Sequence, residues 1–379
     1  MWTTKTRLQS YEKIRAVAHE NDWCDHLSKI ISEGNYDTAS GRAELHVSWA
    51  YHSRRREQAV TPVHGPAEVT ALLPLFPDDL KSLAMICHSM NVLKKAVTVV
   101  NPGQIPVIAC DQPLFKIAKQ IQWMWPEECG EESSVIMLGD LHIKMALLKV
   151  LGDHLDGSGW KSALVQAEIA TAGTSNSFLK KTAAARQITA CALYKLQQTS
   201  YVEWQTCQPE CNAPSFDEWC EQREAQKAQF HFWQLVFSTE LDVLAWDRSI
   251  HEGNFLLYVE ALTRLQWLFH SFDHYNYARA IAIHLRDMVM LRDKHPGIFP
   301  EFCKGKFTVN KTQPPFSRMT LDKSNEQNNA CVKGDGGPVG LAENSSALLR
   351  WMVSGPEMSQ CFRQEGNSIT ASSPRGPAT

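Results

Sequence analysis

The chain has 379 residues, of which 44% are hydrophobic and 21% are charged. This composition is typical of globular proteins and excludes a wholly disordered or collagen-like chain. Lys and Arg number 38 and Asp and Glu number 41, so the formal net charge is −3. A near-neutral chain has no overall attraction to phosphate, so any contact with nucleic acid needs a local basic surface.

The predicted compartment follows from the N-terminus, the hydropathy and the cysteines. The first residues lack the apolar core of a signal peptide. No window contains the roughly 18 uncharged apolar residues that a membrane span needs; the nearest, 255–269, includes Glu260 and Arg264. The 11 cysteines are scattered along the chain, which is typical of free thiols in a reducing compartment. We therefore predict an intracellular protein without a membrane partner.

The first regular element is predicted after an irregular N-terminal segment. Within residues 1–75, one or two amphipathic helices could form over 8–31, residues 32–66 are polar, and Pro62, Pro66 and Pro74 then interrupt the chain. This pattern favours a peripheral segment without its own core. Asp78 or Asp79 is a candidate N-cap for a helix with regularly spaced apolar residues. That helix should end before Asn101, where a turn sequence begins.

Two short apolar runs, residues 105–110 and 134–138, are predicted to be buried strands. The segment 112–124 lies between them and has helical spacing. An acidic residue ends each run, Asp111 after the first and Asp140 after the second. We therefore predict two adjacent parallel strands joined by a helix, with both acids at the carboxyl edge of the sheet, where ligands of open α/β sheets bind.

Residues 156–295 differ, because their apolar residues have helical spacing almost throughout and no strand pattern is evident. We predict a nearly all-helical block, packed through Phe230, Trp233, Phe237, Leu257 and Trp267. Beyond it, 307–309 and 316–321 are candidate extended segments, and a late helix begins at Asp322. The tail from 353 is rich in Ser, Gly, Pro and Gln, a composition typical of disorder.

The predicted fold is α/β with a large all-helical insertion, and mostly α overall. The predicted parts are the peripheral segment 1–75, a β-α-β-α unit at 76–155, the helical insertion at 156–295, a return to the core with the late helix at 296–352, and a disordered tail at 353–379.

Asp111, Asp140 and Glu326 form the main candidate site. Two of these acids leave adjacent strands and the third lies on the late helix. Such carboxylates can hold Mg²⁺ for phosphoryl transfer, and His142, beside Asp140, is a further candidate ligand. An acid at a strand end is also a common helix N-cap, and capping is the favoured interpretation of Asp111 and Asp140.

Three other constellations have structural explanations. Cys207, Cys211, Cys220 and His231 could bind zinc, but their spacing differs from that of common zinc sites. His270 and His274 are four residues apart on one predicted helix and could be a ligand pair, but a polar helix–helix contact is the favoured explanation. The glycine-rich loop 333–337 lacks the GKS/T ending of a phosphate-binding loop.

Several strings resemble a large, uncharacterised family of transposon-derived animal proteins, over about residues 76–355. These strings are PGQIPV (102–107), CDQPLF (110–115), LGDLHIKM (138–145), LDGSGWKSAL (155–164), EIATAGTSNSFL (168–179), DHYNYAR (273–279), HPGI (295–298) and EQNNACVKGDGG (326–337).

The resemblance implies a transposase-type core of RNase H-like fold, interrupted by a helical insertion. The core would be incomplete, because we find no three-stranded meander before Asp111. The resemblance also implies DNA as a partner, the nucleus as one location, and Mg²⁺ as cofactor if the protein is catalytic.

Three functions remain open at this point. The favoured one is a transposon-derived protein without catalytic activity that binds nucleic acid, and in this case no cofactor is expected. A Mg²⁺-dependent transposase or nuclease would use Asp111, Asp140 and Glu326. A helical protein-interaction scaffold would rest on the aromatic-rich helices.

Overall fold

The computed structural model describes residues 82–207, 214–310 and 317–333. Within them the chain is mostly helical. The strands are β1 (Val107–Cys110) and β2 (Val135–Leu138), and the helices are α1 (Leu83–Val100), α2 (Gln112–Met124), α3 (Pro126–Cys129), α4 (Asp140–His154), α5 (Trp160–Gln166), α6 (Ser175–Lys181), α7 (Ala183–Thr206), α8 (Phe216–Gln226), α9 (Ala228–Glu252), α10 (Phe255–Ser271), α11 (Tyr275–Val289), α12 (Leu291–Lys294), α13 (Ile298–Cys303) and α14 (Leu321–Lys333).

The predicted pair of parallel strands is confirmed. β1 pairs with β2 in register from Val107 and Val135 to Cys110 and Leu138, and α2 lies between them in the chain. All four residues of β2 are buried, as expected for a strand that is covered on both faces. The resulting sheet has two strands, so the α/β part of the molecule is small.

The helical block is confirmed as well. The described parts of 156–295 form helices α5 to α12 and contain no strand. Of the residues predicted to pack it, Phe237 and Leu257 are buried, whereas Phe230 and Trp233 are only half-buried.

The prediction that Trp267 packs the helical block is wrong, because its side chain is 38% exposed. The buried stripe of α10 instead runs through Tyr258, Leu262, Leu265 and Phe269, each 0% exposed. Trp267 falls outside this stripe because a helix presents only every third or fourth residue to one side.

Two clusters of buried apolar residues hold the described elements together. The larger one surrounds the sheet and joins α1, α2 and α4 to α9, α10 and α11. The smaller one is formed by α5, α6 and α7 against Val236, Phe237 and Leu244 of α9. Because α9 contributes to both clusters, it connects the helical block to the sheet.

The first and last described elements test the predicted boundaries near the two ends of the chain. α1 begins after Ser82, whose hydroxyl accepts a hydrogen bond from the backbone N–H of Met85 at 3.1 Å. Among the described residues, the predicted extended segments 307–309 and 316–321 are reduced to one antiparallel bridge between Val309 and Met319; Phe307 and Thr308 lie in a turn and a bend. α14 begins at Leu321, one residue before the predicted Asp322. The predicted segment 1–75, the caps Asp78 and Asp79, the glycines of 334–337 and the tail 353–379 lie outside the described residues.

Candidate functional site at the carboxyl edge of the sheet

Asp111 is the N-cap of α2. Its Oδ1 accepts a hydrogen bond from the backbone N–H of Leu114 at 3.0 Å, which satisfies a donor that the helix itself cannot pair. The capping interpretation is therefore confirmed for this residue.

Asp140 has a different environment, and its predicted capping role is wrong. The residue is the first of α4, its N-cap position is taken by Gly139, and its side chain is 3% exposed. Asp140 Oδ1 accepts a hydrogen bond from the hydroxyl of Tyr258 at 2.5 Å. Tyr258 lies on α10, so the carboxyl points into the helical core instead of toward its own helix end.

His284 completes a buried chain of hydrogen bonds. Its Nδ1 accepts from the backbone N–H of Leu138 at 3.3 Å, and its Nε2 lies 2.7 Å from the Tyr258 hydroxyl. Because Nδ1 accepts a hydrogen bond, the neutral imidazole carries its proton on Nε2 and donates it to Tyr258. The chain thus runs from the backbone of β2 through His284 and Tyr258 to Asp140.

The titration of these groups reflects their burial. Burial raises the pKa of Asp140 from 3.8 to about 8; the Tyr258 hydroxyl opposes this rise and the charge of Asp322 adds to it. Burial also lowers the pKa of His284 from 6.5 to about 3, and the charge of Lys119 acts in the same direction. At neutral pH these pKa values keep Asp140 mostly protonated and His284 neutral, so the three hydrogen-bonded side chains carry little charge.

Asp322 is the acid that caps α4, although it lies far away in sequence. Its carboxylate accepts the backbone N–H groups of Leu141, at 2.9 Å, and His142, at 3.3 Å. It also lies 3.1 Å from His142 Nδ1. The late helix α14 thus supplies a negative charge to the positive N-terminal end of α4.

Gly139 permits this close approach. A Cβ atom at this position would lie 2.5 Å from Asp322 Oδ2 and 3.1 Å from the carbonyl oxygen of Cys110. The turn between β2 and α4 therefore has room for the capping carboxylate because residue 139 has no side chain.

The predicted ligands do not form one metal-binding group. Glu326 is exposed, Asp111 caps α2, and Asp140 bonds to Tyr258. Over residues 82–207, 214–310 and 317–333, no group of three or more His, Cys, Asp or Glu side chains is arranged to hold a metal ion. The residues present therefore do not fit the Mg²⁺ site that the resemblance implies.

The other candidate ligands are also dispersed. His231 pairs with Glu224 at 3.0 Å, Cys220 is buried in α8, and Cys211 lies outside the described residues. α10 ends at Ser271 and His274 is the N-cap residue of α11. His270 and His274 consequently do not share a helix, contrary to the prediction.

Sequence reasoning missed Tyr258, His284 and Asp322. Tyr258 and His284 lie within helices whose pattern indicates only core packing, so nothing in the sequence distinguishes them. Asp322 had a weak signal, because it stands at the start of the late helix, one turn before Glu326.

One family model matches most of the chain. It describes a domain of unknown function, DUF8702, and matches residues 66–212 and 196–374. The chain belongs to the DUF8702 family. No curated protein and no solved structure matches it. The DUF8702 match includes every described element.

One described helix, α1, is long and apolar enough to cross a membrane by length and composition alone. A single helix of this kind is weak evidence for a membrane span.

Proposed function

We propose that this is a transposon-derived protein without catalytic activity that binds DNA through a basic surface beside the candidate site. The absence of catalytic activity is supported by the hydrogen bonds that the carboxyl groups at the sheet edge make within the protein. Asp140 is buried and accepts a hydrogen bond from the Tyr258 hydroxyl, and Asp322 accepts hydrogen bonds from backbone N–H groups. Oδ1 of Asp140 and both carboxylate oxygens of Asp322 are therefore engaged within the protein.

The proposed binding surface, called the α4 face, consists of His142, Met145 and Lys149 on α4, Lys181 on α6 and Lys323 on α14. The first three are spaced i, i+3 and i+7, so they lie on one side of the helix. Lys149, Lys181 and Lys323 are exposed.

The neighbouring helices bring the outer lysines close to α4. The ion pair between Lys180 and Asp153 joins α6 to α4 at 2.5 Å, and Asp322 joins α14 to the other end of α4. The α4 face therefore carries three exposed lysines, on a chain whose net charge is −3. Exposed lysines of this kind bind the phosphate backbone without reading base sequence.

Binding to a labelled DNA duplex, measured by fluorescence anisotropy over a salt series, tests the DNA half of this proposal. Affinity should fall steeply as salt rises. The double change Lys149→Gln and Lys323→Gln should weaken binding and reduce the magnitude of the salt slope by about 2, because each lost phosphate contact contributes about 0.9.

The matched control is the double change Lys195→Gln and Lys227→Gln, which removes two exposed lysines of the helical block. It should leave the slope unchanged. Absence of binding at low salt, or equal losses in both double variants, would contradict the proposal.

The nuclease alternative makes a separate forecast about metal. A Mg²⁺ or Mn²⁺ site stabilises the folded state by about 2.7 kcal/mol at a hundredfold excess over its dissociation constant. We expect neither ion to raise the melting temperature and the protein to leave plasmid DNA intact. A metal-induced rise that Asp140→Asn removes would instead support the nuclease.

The scaffold alternative is favoured by one surface feature. Trp123, Met124 and Trp125, at the end of α2, are 49%, 54% and 41% exposed, and exposed aromatic residues are enriched where proteins bind one another. A scaffold would show no salt-dependent binding to DNA, so the same titration separates the two functions.

A further inference from the structure

Cys87 and Cys129 form a close thiol pair between two elements of the larger core. Their Sγ atoms are 3.6 Å apart, although the residues are 42 positions apart in sequence. Cys87 lies on α1 and Cys129 is the last residue of α3. A disulfide bond length is about 2.05 Å, so a movement of roughly 1.5 Å by the two sulfurs would bring them to bonding distance.

We propose that Cys87 and Cys129 are a reversible disulfide site, oxidised by small-molecule disulfides such as glutathione disulfide, and that the bond fastens α1 to α3.

The surroundings of the two thiols give them different roles. Cys87 is half-buried and therefore accessible to a small molecule, whereas Cys129 is 4% exposed. Burial raises the pKa of Cys129 to about 11, and its hydrogen bond with Cys87 adds to the rise. Because a small-molecule disulfide reaches the half-buried Cys87 and not the buried Cys129, Cys87 reacts first and Cys129 acts as the resolving thiol.

The exchange proceeds in two balanced steps. The Cys87 thiolate attacks one sulfur of glutathione disulfide, which forms a mixed disulfide and releases one glutathione. Cys129 then loses its proton and attacks the Cys87 sulfur, which releases the second glutathione. Two protein thiols are oxidised, one glutathione disulfide is reduced to two glutathione molecules, and the two thiol protons end on them.

The helix α1 is the element that such a bond would affect most. Of its 18 residues, Ile86 and Met90 are buried, so α1 attaches to the core through a narrow contact. A cross-link to α3 restrains the unfolded chain and prevents separation of α1 from the core. We therefore expect oxidation to protect the α1 backbone more than that of α7, which lies in the other cluster.

Peptide mapping of the full chain tests the site. The native protein is equilibrated with mixtures of reduced and oxidised glutathione, its free thiols are alkylated, and it is digested with trypsin. Cys87 then lies in the peptide 82–94 and Cys129 in 120–144, each of which contains one cysteine. The two peptides should appear linked, with a mass lower by two hydrogen atoms than their sum, and the linked fraction should rise in one transition with the proportion of oxidised glutathione.

A second set of measurements on the same samples tests whether the disulfide fastens α1 to α3. Oxidation should raise the melting temperature and the hydrogen-exchange protection of α1, and Cys87→Ala should abolish both effects. Cys303→Ser, which removes an exposed thiol, should change neither. Glutathione that stays attached to Cys87, a linkage of Cys87 to another cysteine, or a pair that stays reduced in excess oxidised glutathione would each overturn the proposal.

Discussion

The hydrogen-bond chain from Leu138 through His284 and Tyr258 to Asp140 places three polar side chains in the core. Burying such groups is costly unless each finds a partner, and a satisfied network favours one arrangement of the packed elements. The chain links β2 to α11, α10 and α4. It therefore fixes how the helical block sits against the sheet.

Tyr258→Phe should destabilise the protein by about 1–3 kcal/mol, because His284 and Asp140 would each lose a buried hydrogen-bond partner. Chemical denaturation measures this change in the free energy of unfolding. Tyr275→Phe is the matched control, since the Tyr275 hydroxyl donates to Asp273 at an exposed position, and it should cost little. Equal effects of the two changes would show that the chain contributes nothing specific.

The pKa of Asp140 predicts how stability depends on pH. The folded state keeps the Asp140 proton up to about pH 8, whereas the unfolded state loses it near 3.8, so this contribution to stability is lost as pH rises between these values. His284 acts oppositely, because its pKa falls from 6.5 to about 3 and its contribution is lost as pH falls below 6.5. Between about pH 4 and 6.5 the two groups change the free energy of unfolding in opposite directions and nearly cancel. The free energy of unfolding therefore declines mainly between about pH 6.5 and 8.

The free energy of unfolding of the wild-type protein should therefore fall by about 1–2 kcal/mol between pH 6.5 and 8 through Asp140, and Asp140→Asn should abolish this fall. The amide resembles the protonated carboxyl and can still accept the Tyr258 hydroxyl. Unfolding free energies of both proteins at several pH values give the difference, in which the other titrating groups cancel. Parallel profiles would mean that Asp140 is ionised in the folded protein.

At the scale of elements, the N-terminus of α4 depends on a residue from α14. Asp322 accepts two of the backbone N–H groups that no residue of α4 can pair. The contact also holds the late helix against the carboxyl edge of the sheet. Capping of α4 and placement of α14 are therefore one interaction.

Asp322→Ala should cost about 0.5–2 kcal/mol, the usual loss for a cap. Gly139→Ala should also destabilise, since the added Cβ would meet Asp322 Oδ2 at 2.5 Å. In the double variant the carboxylate is gone, so the cost of Gly139→Ala should be smaller than in the wild-type background. Additive costs in this cycle, measured by denaturation, would place the strain elsewhere, for instance against the carbonyl of Cys110.

The elements that sequence predicted well have strong local patterns. The apolar runs before Asp111 and Asp140 are short and bounded by turn residues, and they form the parallel pair β1 and β2. The helical block has long periodic stretches, which form helices α5 to α12. Local spacing determines these features, so no knowledge of distant contacts is needed.

The site residues were harder to predict because long-range packing selects them. Glu326 and Asp322 lie on the same late helix, and only the fold determines that Asp322 meets α4 while Glu326 faces solvent. Likewise, Asp140 could cap α4 by its position, but the hydroxyl of Tyr258, 118 residues away, binds its side chain.

At the scale of the whole molecule, α9 joins the two apolar clusters. Phe237 and Leu244 pack in the smaller cluster, while Trp246 and Ile250 pack around the sheet. A continuous helix of 25 residues transmits the loss of packing at one end to the other. The two clusters should therefore unfold together.

Trp160→Ala tests this cooperativity. Trp160 is 8% exposed in the smaller cluster, where its ring packs on Trp233 and its Nε1 donates to Thr189 at 3.0 Å. Loss of a buried aromatic side chain costs about 3–5 kcal/mol, so the melting temperature should fall clearly. Hydrogen exchange should speed up in β2 as well as in α7, because both belong to one unfolding unit. The control Trp267→Ala, at a 38% exposed position, should have a small effect on the melting temperature and on hydrogen exchange. A Trp160→Ala variant that loses protection in α7 alone would show that the helical block unfolds independently of the sheet.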